Sequence, residues 1–138
     1  MRLHAALLSK EWSDKKTLQN ANGDNILDAK LTGWNRKPKM SDGVLGEINP
    51  KEYKGLAVGR FNFMKVEDQT RHKYILNIDG HVKAFRLGNE LRMGSVILIV
   101  ESDYRLWFQE FLVDRVHYVS VSPDLSDLEE KIRWCIEN

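Results

Sequence analysis

The hydrophobic rhythm of the chain changes near residue 73. Residues 74–79 (Tyr-Ile-Leu-Asn-Ile-Asp) form a β-rich run that ends in Asp-Gly. Residues 82–93 place Val82, Phe85, Arg86, Asn89, Glu90 and Met93 at helical spacing, and Gly94 is the expected C-cap. Residues 95–100 (Ser-Val-Ile-Leu-Ile-Val) are a continuous apolar run, the pattern of a strand buried on both faces of a parallel sheet. Residues 103–112 read as an aromatic amphipathic helix, and 117–121 as a third strand. Residues 125–137 read as a helix with Leu125, Leu128, Ile132 and Cys135 or Ile136 on one face. Its acidic start (Asp127, Glu129, Glu130) suits the positive end of a helix. Strand and helix thus alternate as in a doubly wound fold. The pattern predicts an α/β class, a Rossmann-like parallel sheet with helices on both faces.

Upstream the rhythm is weaker. Two short apolar runs, 5–8 and 26–31, flank a polar stretch containing Asn-Gly, a turn signal. Residues 32–59 contain Gly33, Pro38, Gly43, Gly46, Pro50 and Gly55 and read as mostly loop with short helical pieces. Residues 66–72 are polar, enough for one or two helical turns. The 138 residues fit a single domain, 1–138, with 32–65 largely loop-rich.

Composition narrows the function. Apolar residues make up 42% and charged residues 30%, which excludes a disordered chain. A net charge of +1 provides no field for steering nucleic acid or an anionic membrane. Any basic function must therefore rest on one or two placed arginines. Cys135 is the single cysteine, so no internal disulfide forms; among Ile132 and Ile136 it reads as a small apolar residue. No apolar run approaches the ~20 residues of a membrane span. The apolar segment at 3–8 is too short for a secretory signal and is followed at once by Lys-Glu-Trp. Cytoplasmic location is the default expectation. The abrupt start is what a domain cut from a longer chain would show.

Candidate chemistry follows from the strand ends, since open α/β sheets bind ligands beyond the carboxyl ends of their strands. The first strand ends at Asp79-Gly80-His81, with a helix expected next. Gly80 permits close backbone approach, the helix start offers free N–H groups to phosphate, and Arg86 lies about one turn in, where a guanidinium can clamp a diphosphate. The alternative is a surface arginine on an amphipathic helix. The second strand ends at Glu101-Ser102-Asp103, where a carboxylate can accept from ribose or sugar hydroxyls. The alternative is an N-cap by Ser102 or Asp103. His81 is a ligand contact or a solvent-facing loop residue. His4, His72, His81 and His117 lack metal-ligand spacing. The sequence has no Walker loop, dinucleotide fingerprint or Gly-x-Ser-x-Gly elbow. Trp107 and Trp134 fit helix faces in a core or interface better than base-stacking platforms.

Several ordered blocks carry a resemblance. They are Lys73-Tyr74-Ile75-Leu76-Asn77-Ile78-Asp79-Gly80, Ala84-Phe85-Arg86, Gly94-Ser95-Val96-Ile97-Leu98, Trp107-Phe108, Val116-His117-Tyr118-Val119 and Asp124-Leu125-Ser126-Asp127-Leu128. Together they resemble glycosyltransferase family 90, the protein O-glucosyltransferase and capsule-associated xylosyltransferase group. Looser agreement extends upstream through Arg2, Leu7-Leu8-Ser9, Asp28-Ala29-Lys30-Leu31-Thr32 and Glu67-Asp68-Gln69. The Ile-Asp-Gly-His wording resembles forms in large DNA viruses and microbes.

The resemblance implies the C-terminal, donor-binding lobe of a two-lobed GT-B enzyme. The donor is then a UDP-sugar of glucose or xylose type, used for inverting transfer to a hydroxyl without an obligatory metal. Arg86 would hold the diphosphate, Arg2 is a second candidate for phosphate or nucleotide, and the turn Gly80, His81, Ala84, Phe85 would approach the nucleotide. The catalytic Asp of the family belongs to the N-terminal lobe, which is absent here. Asp28 matches a donor-lobe position and is not that base. The implied partners are a nucleotide sugar and either the missing lobe or another protein. The other reading is a non-catalytic binding or structural module derived from a truncated transferase, acting in a larger assembly.

Overall fold

Tyr74–Asn77 (β1), Val96–Val100 (β2) and Val119–Val121 (β3) pair in parallel, in the order β1-β2-β3. The structure is a computed structural model and describes residues 1–20, 22–35, 37, 46–80 and 84–138. Within it the chain divides into two compact units, Arg2–Phe63 and Met64–Asn138. All three strands lie in the second.

The register assigns each face of the sheet. Tyr74 pairs with Val96, and Leu98 pairs with Val119. Side chains alternate along a strand, so Ile75, Asn77, Ile97 and Ile99 share one face, and Tyr74, Leu76, Leu98, Val119 and Val121 share the other. Ile97, Leu98, Ile99 and Val100 are all buried, so β2 is covered on both faces, as its unbroken apolar run requires. On the first face, Leu87 joins Ile75, Ile97 and Ile99, with Leu91, Leu106, Phe108 and Tyr118 packed around them. Leu87 belongs to a short helix, Leu87–Glu90 (α2). On the second face, the Tyr74 hydroxyl donates to the Cys135 carbonyl at 3.1 Å, which fixes helix Leu128–Glu137 (α3) there. Helices therefore lie on both faces of a parallel sheet, the predicted α/β arrangement.

Two predicted helices are corrected. The helix expected over 82–93 is a single helical turn, Leu87–Glu90, followed by a turn that ends at Gly94 with φ +83°. That left-handed conformation is why glycine closes the element. Residues 81–83 fall outside the described residues. The helix expected over 103–112 does not form. The chain makes a 3-10 turn over Gln109–Phe111, and Trp107, expected on a helix face in a core or interface, is exposed, as is Phe111. Leu106 and Phe108 contribute to the core instead, at a spacing of two, not three or four. Trp107 is thus not a core residue of this chain.

The last helix begins at Leu128, three residues after the predicted start. Leu125 adopts φ +62° and is buried, so core burial offsets the ~1–2 kcal/mol cost of the left-handed backbone. Leu128, Ile132 and Cys135 form the buried stripe of α3 and Ile136 is exposed. Cys135 is the small apolar residue that its setting predicted. Burial raises its thiol pKa, and Lys73 and Lys131 act in the opposite direction.

The other unit is built on helix Arg2–Lys15 (α1), which extends the short 5–8 signal to fourteen residues. Ala5, Ser9 and Trp12 are buried at helical spacing. The Ser9 hydroxyl donates to the Leu27 carbonyl at 2.8 Å and accepts from the Ala29 amide at 3.1 Å. Exposed pairs Lys10–Asp14 and Glu11–Lys15, each 2.6 Å, add a few tenths of a kcal/mol apiece. The Asn-Gly turn is present, with Gly23 at φ +85° and Asn20 bracing it through the Asn22 and Asp24 amides. In the loop-rich stretch, Pro50–Tyr53 is a 3-10 turn capped by Asn49. Glu67–Arg71, the start of the second unit, is another.

Candidate functional site at the carboxyl end of the sheet

The polar residues that follow β1 are buried, which is unusual for a strand end. Asn77 is 1% exposed, Asp79 4% and Glu90 0%. Each burial has a specific partner. The Asn77 amide nitrogen donates to Glu90 Oε2 at 2.5 Å, and Arg86 Nε donates to Glu90 Oε1 at 2.6 Å. Glu90 and Arg86 are four residues apart, one helical turn, with Arg86 at the N-cap position of α2 and Glu90 its last residue. Arg86 Nη2 also reaches the Ile78 carbonyl at 3.4 Å. About a third of the Arg86 side chain remains accessible.

Asp79 fixes the turn. Its Oδ1 accepts from the Ala84 amide at 2.8 Å. Its Oδ2 accepts from the Ser102 hydroxyl at 2.5 Å, joining the end of β1 to the residues just past β2. Ser102 Oγ also accepts from the Tyr104 amide at 3.3 Å, a short local turn and not the cap of a helix.

The sequence-predicted residues fall into distinct places. Gly80, Ala84, Phe85 and Arg86 belong to this one turn. Gly80 is exposed, Ala84 is buried with its amide committed to Asp79, and Phe85 presents a ring that is 76% exposed. His81 lies outside the described residues. Arg86 precedes α2 and does not sit one turn inside it. A four-residue helix whose approach amide is already taken supplies little dipole, so positive charge at this turn comes from the guanidinium. Glu101 extends the sheet, its amide donating to the Val121 carbonyl at 2.9 Å, and its exposed carboxylate accepts from Ser120 Oγ at 2.5 Å. Arg2 is an exposed residue of α1 in the other unit. Asp28 is exposed and pairs with Lys30 at 2.8 Å.

The sequence reading missed two sets, Asn77 with Glu90 and Asp79 with Ser102. Two signals pointed to the first: a polar Asn77 in an apolar strand, and the i,i+4 spacing of Arg86 and Glu90. Beyond β2, Tyr118 packs on the core cluster, and its hydroxyl pKa is raised by burial first, then by Asp114 and Glu101, against a lowering from Arg105. Among the described residues no cluster of three or more His, Cys, Asp or Glu is placed to hold a metal ion, and no helix is long and apolar enough to cross a membrane.

Known proteins resemble this chain in sequence. The profile of Glycosyl transferase family 90 matches residues 6–138. Uncharacterized protein 179R of Invertebrate iridescent virus 6 is 39% identical over 122 residues, covering 82% of this chain and 10% of that protein. Protein O-glucosyltransferase 3 of Rattus norvegicus is 33% identical over 138 residues, covering 99% of this chain and 22% of the rat protein. O-glucosyltransferase LpsA of Dichelobacter nodosus is 35% identical over 71 residues, 51% of this chain and 22% of LpsA. The chain thus spans between a tenth and about a fifth of the length of these relatives. A match from the first helix to the last residue, on a parallel sheet with the six ordered blocks in place, leaves one assignment: the chain belongs to glycosyl transferase family 90.

Proposed function

We propose that the Met64–Asn138 unit binds the nucleoside diphosphate of a UDP-sugar donor, of glucose or xylose type. On this reading it is the donor lobe of a GT-B transferase. The carrying observation is Arg86: a guanidinium at the carboxyl end of a parallel sheet, held at Nε by a buried carboxylate, with a third of its side chain accessible. Such a fork matches phosphate oxygens in pairs. The exposed Phe85 ring next to it offers a face for the base. Gly80 lets the ligand approach the turn, and Glu101 offers an acceptor to sugar hydroxyls.

In the proposed reaction an aspartate of the other lobe takes the proton of the acceptor hydroxyl. The acceptor oxygen attacks the anomeric carbon from the face opposite the leaving group, the bond from that carbon to the diphosphate oxygen breaks, and UDP departs with the electron pair. Arg86 stabilises the charge that builds on the departing diphosphate, which is why no metal need be obligatory. Support for glycosyl transfer comes from the family, and from relatives named for O-glucosyl transfer.

Calorimetric titration tests the reading. UDP should bind the wild-type chain, and Arg86→Ala should weaken it by about tenfold or more, the loss of a bidentate charge-assisted contact. A chain that ignores UDP, or binds it equally well without Arg86, overturns the assignment. A second reading, a non-catalytic module that docks on a partner, is favoured by the exposed Trp107, Phe111, Val113 and Val116 within ten residues. Light scattering on the eluting chain separates the two: a monomer with strong UDP affinity counts against the module.

A further inference from the structure

Asn77 sits on the sheet face otherwise made of Ile75, Ile97 and Ile99, where a leucine would pack without polar cost. Its amide nitrogen is spent on Glu90, and its Oδ1 is buried with no hydrogen-bond partner among the described residues. Glu90 is itself fully buried, a carboxylate taken out of water for two contacts, Asn77 and Arg86. Neither choice serves packing. A buried ion pair is a poor source of stability compared with apolar residues of the same volume. What the arrangement does achieve is directional. Asn77 occupies one carboxylate oxygen and leaves the other for Arg86 Nε, and Nη2 leans toward the Ile78 carbonyl at 3.4 Å. Arginine side chains have several rotatable bonds, and a donor site gains from having them fixed before the ligand arrives.

We propose that Glu90 is a positioning residue for the donor diphosphate. Held by Asn77, it locks the Arg86 guanidinium at Nε so that the terminal nitrogens are presented as a pre-set fork. This inference rests on the reading of Arg86 as the diphosphate clamp. Glu90 touches no ligand; it acts through Arg86 alone. The two residues are therefore one functional unit, and Asn77 is the strand-borne support beneath it.

The test compares UDP with uridine, which lacks the phosphates, by calorimetry on the 138-residue chain. The variants are Arg86→Ala, Glu90→Gln, the double variant and Arg86→Lys. Glu90→Gln keeps the shape but loses the charge that orients Nε. It should weaken UDP about tenfold, leave uridine unchanged, and cost nothing further once Arg86 is alanine. Arg86→Lys keeps a positive charge without the fork and should fall to the Arg86→Ala level.

The outcomes are separable. If Arg86→Ala weakens UDP and Glu90→Gln does not, the positioning role is overturned and the donor reading stands. If Glu90→Gln weakens UDP and uridine equally, or acts equally in the Arg86→Ala background, Glu90 is only structural and the proposal fails. If wild type does not bind UDP, or Arg86→Ala leaves it unchanged, the donor reading falls and takes this inference with it. Should Glu90→Gln not fold, Arg86→Lys decides: wild-type UDP affinity in that variant overturns the pinned fork, and a loss equal to Arg86→Ala supports it.

Discussion

Two connections leave the same end of the parallel sheet, and they use their side chains in opposite ways. After β1 the polar residues turn inward: Asp79 and Glu90 are buried and each has named partners. After β2 the apolar residues turn outward: Trp107, Phe111, Val113 and Val116 are exposed, and Glu101 meets Ser120 in solvent. The first connection buries its own carboxylates, and one of them holds the Arg86 guanidinium. The second has more residues than its short 3-10 turn organises, and Leu106, Phe108 and Tyr118 pack it against the core cluster. A ligand site needs the first kind of connection, because preformed geometry spares the ordering cost of binding.

The largest effect should come from the packing beneath the first connection. Leu87 is fully buried and is the α2 residue in the cluster with Ile75, Ile97 and Ile99. Leu87→Ala should cost about 2–5 kcal/mol in urea unfolding, the range for leucine removed from a close-packed core. A loss below about 1 kcal/mol would mean that α2 is not held by this contact, and the contrast between the two connections would lose its basis.

Next is the turn itself. Asp79→Ala leaves the Ala84 amide and the Ser102 hydroxyl without their partner, which should cost about 1–3 kcal/mol. Asp79→Asn retains an acceptor for the amide and should lose less. Hydrogen exchange is the sharper measurement: the Ala84 amide should be protected in wild type and exchange much faster in Asp79→Ala. Equal protection in both would show that the turn is set by something other than Asp79.

A smaller effect follows from pH on the other connection. Tyr118 is the point where that segment meets the core, and its hydroxyl pKa is raised above 10.0 by burial and then by Asp114 and Glu101. In the unfolded chain the phenol ionises near its ordinary value of about 10. The folded chain resists ionisation, so this contribution to stability is intact below about pH 10 and is lost as pH rises through the folded value. Wild type should therefore lose thermal stability above pH 10, and Tyr118→Phe should lose less over the same interval. Parallel alkaline limbs for the two proteins would remove Tyr118 as the cause.

The two connections also differ in how far they were legible beforehand. The strands were plain, because an apolar run such as Val96-Ile97-Leu98-Ile99-Val100 has one physical solution in a parallel sheet. A strand end, a glycine and an arginine in order mark Gly80, Ala84, Phe85 and Arg86 as candidates, but helical spacing over 82–93 puts Arg86 one turn inside a helix that starts only at Leu87. The Asn77–Glu90–Arg86 set was not read, since partners thirteen residues apart meet only after β1 and α2 have packed. The helix expected over 103–112 does not form for a related reason. Trp107 and Phe111 fit a helical stripe, but local periodicity does not reveal which aromatic residues find a core to enter. Leu106 and Phe108 take that place, and the backbone follows them.

Trp107 gives the smallest effect and the most direct measure of the contrast. It is 81% exposed, and its ring meets Phe108 edge-on with centroids 5.5 Å apart at 87°. An exposed side chain removes little surface from water on folding, so Trp107→Ser should change unfolding free energy by less than about 1 kcal/mol, most of it the lost aromatic pair. Leucine 87 is smaller than tryptophan, yet its truncation should cost several times more. Reversal of that order in urea unfolding would place Trp107 in a buried contact and erase the distinction between the two connections. The expected order locates the weight of the fold under Arg86 and leaves Trp107 a minor share of it. Light scattering of wild type against Trp107→Ser then tests the proposed docking module: an equal mass for both proteins counts against a role for this ring in association.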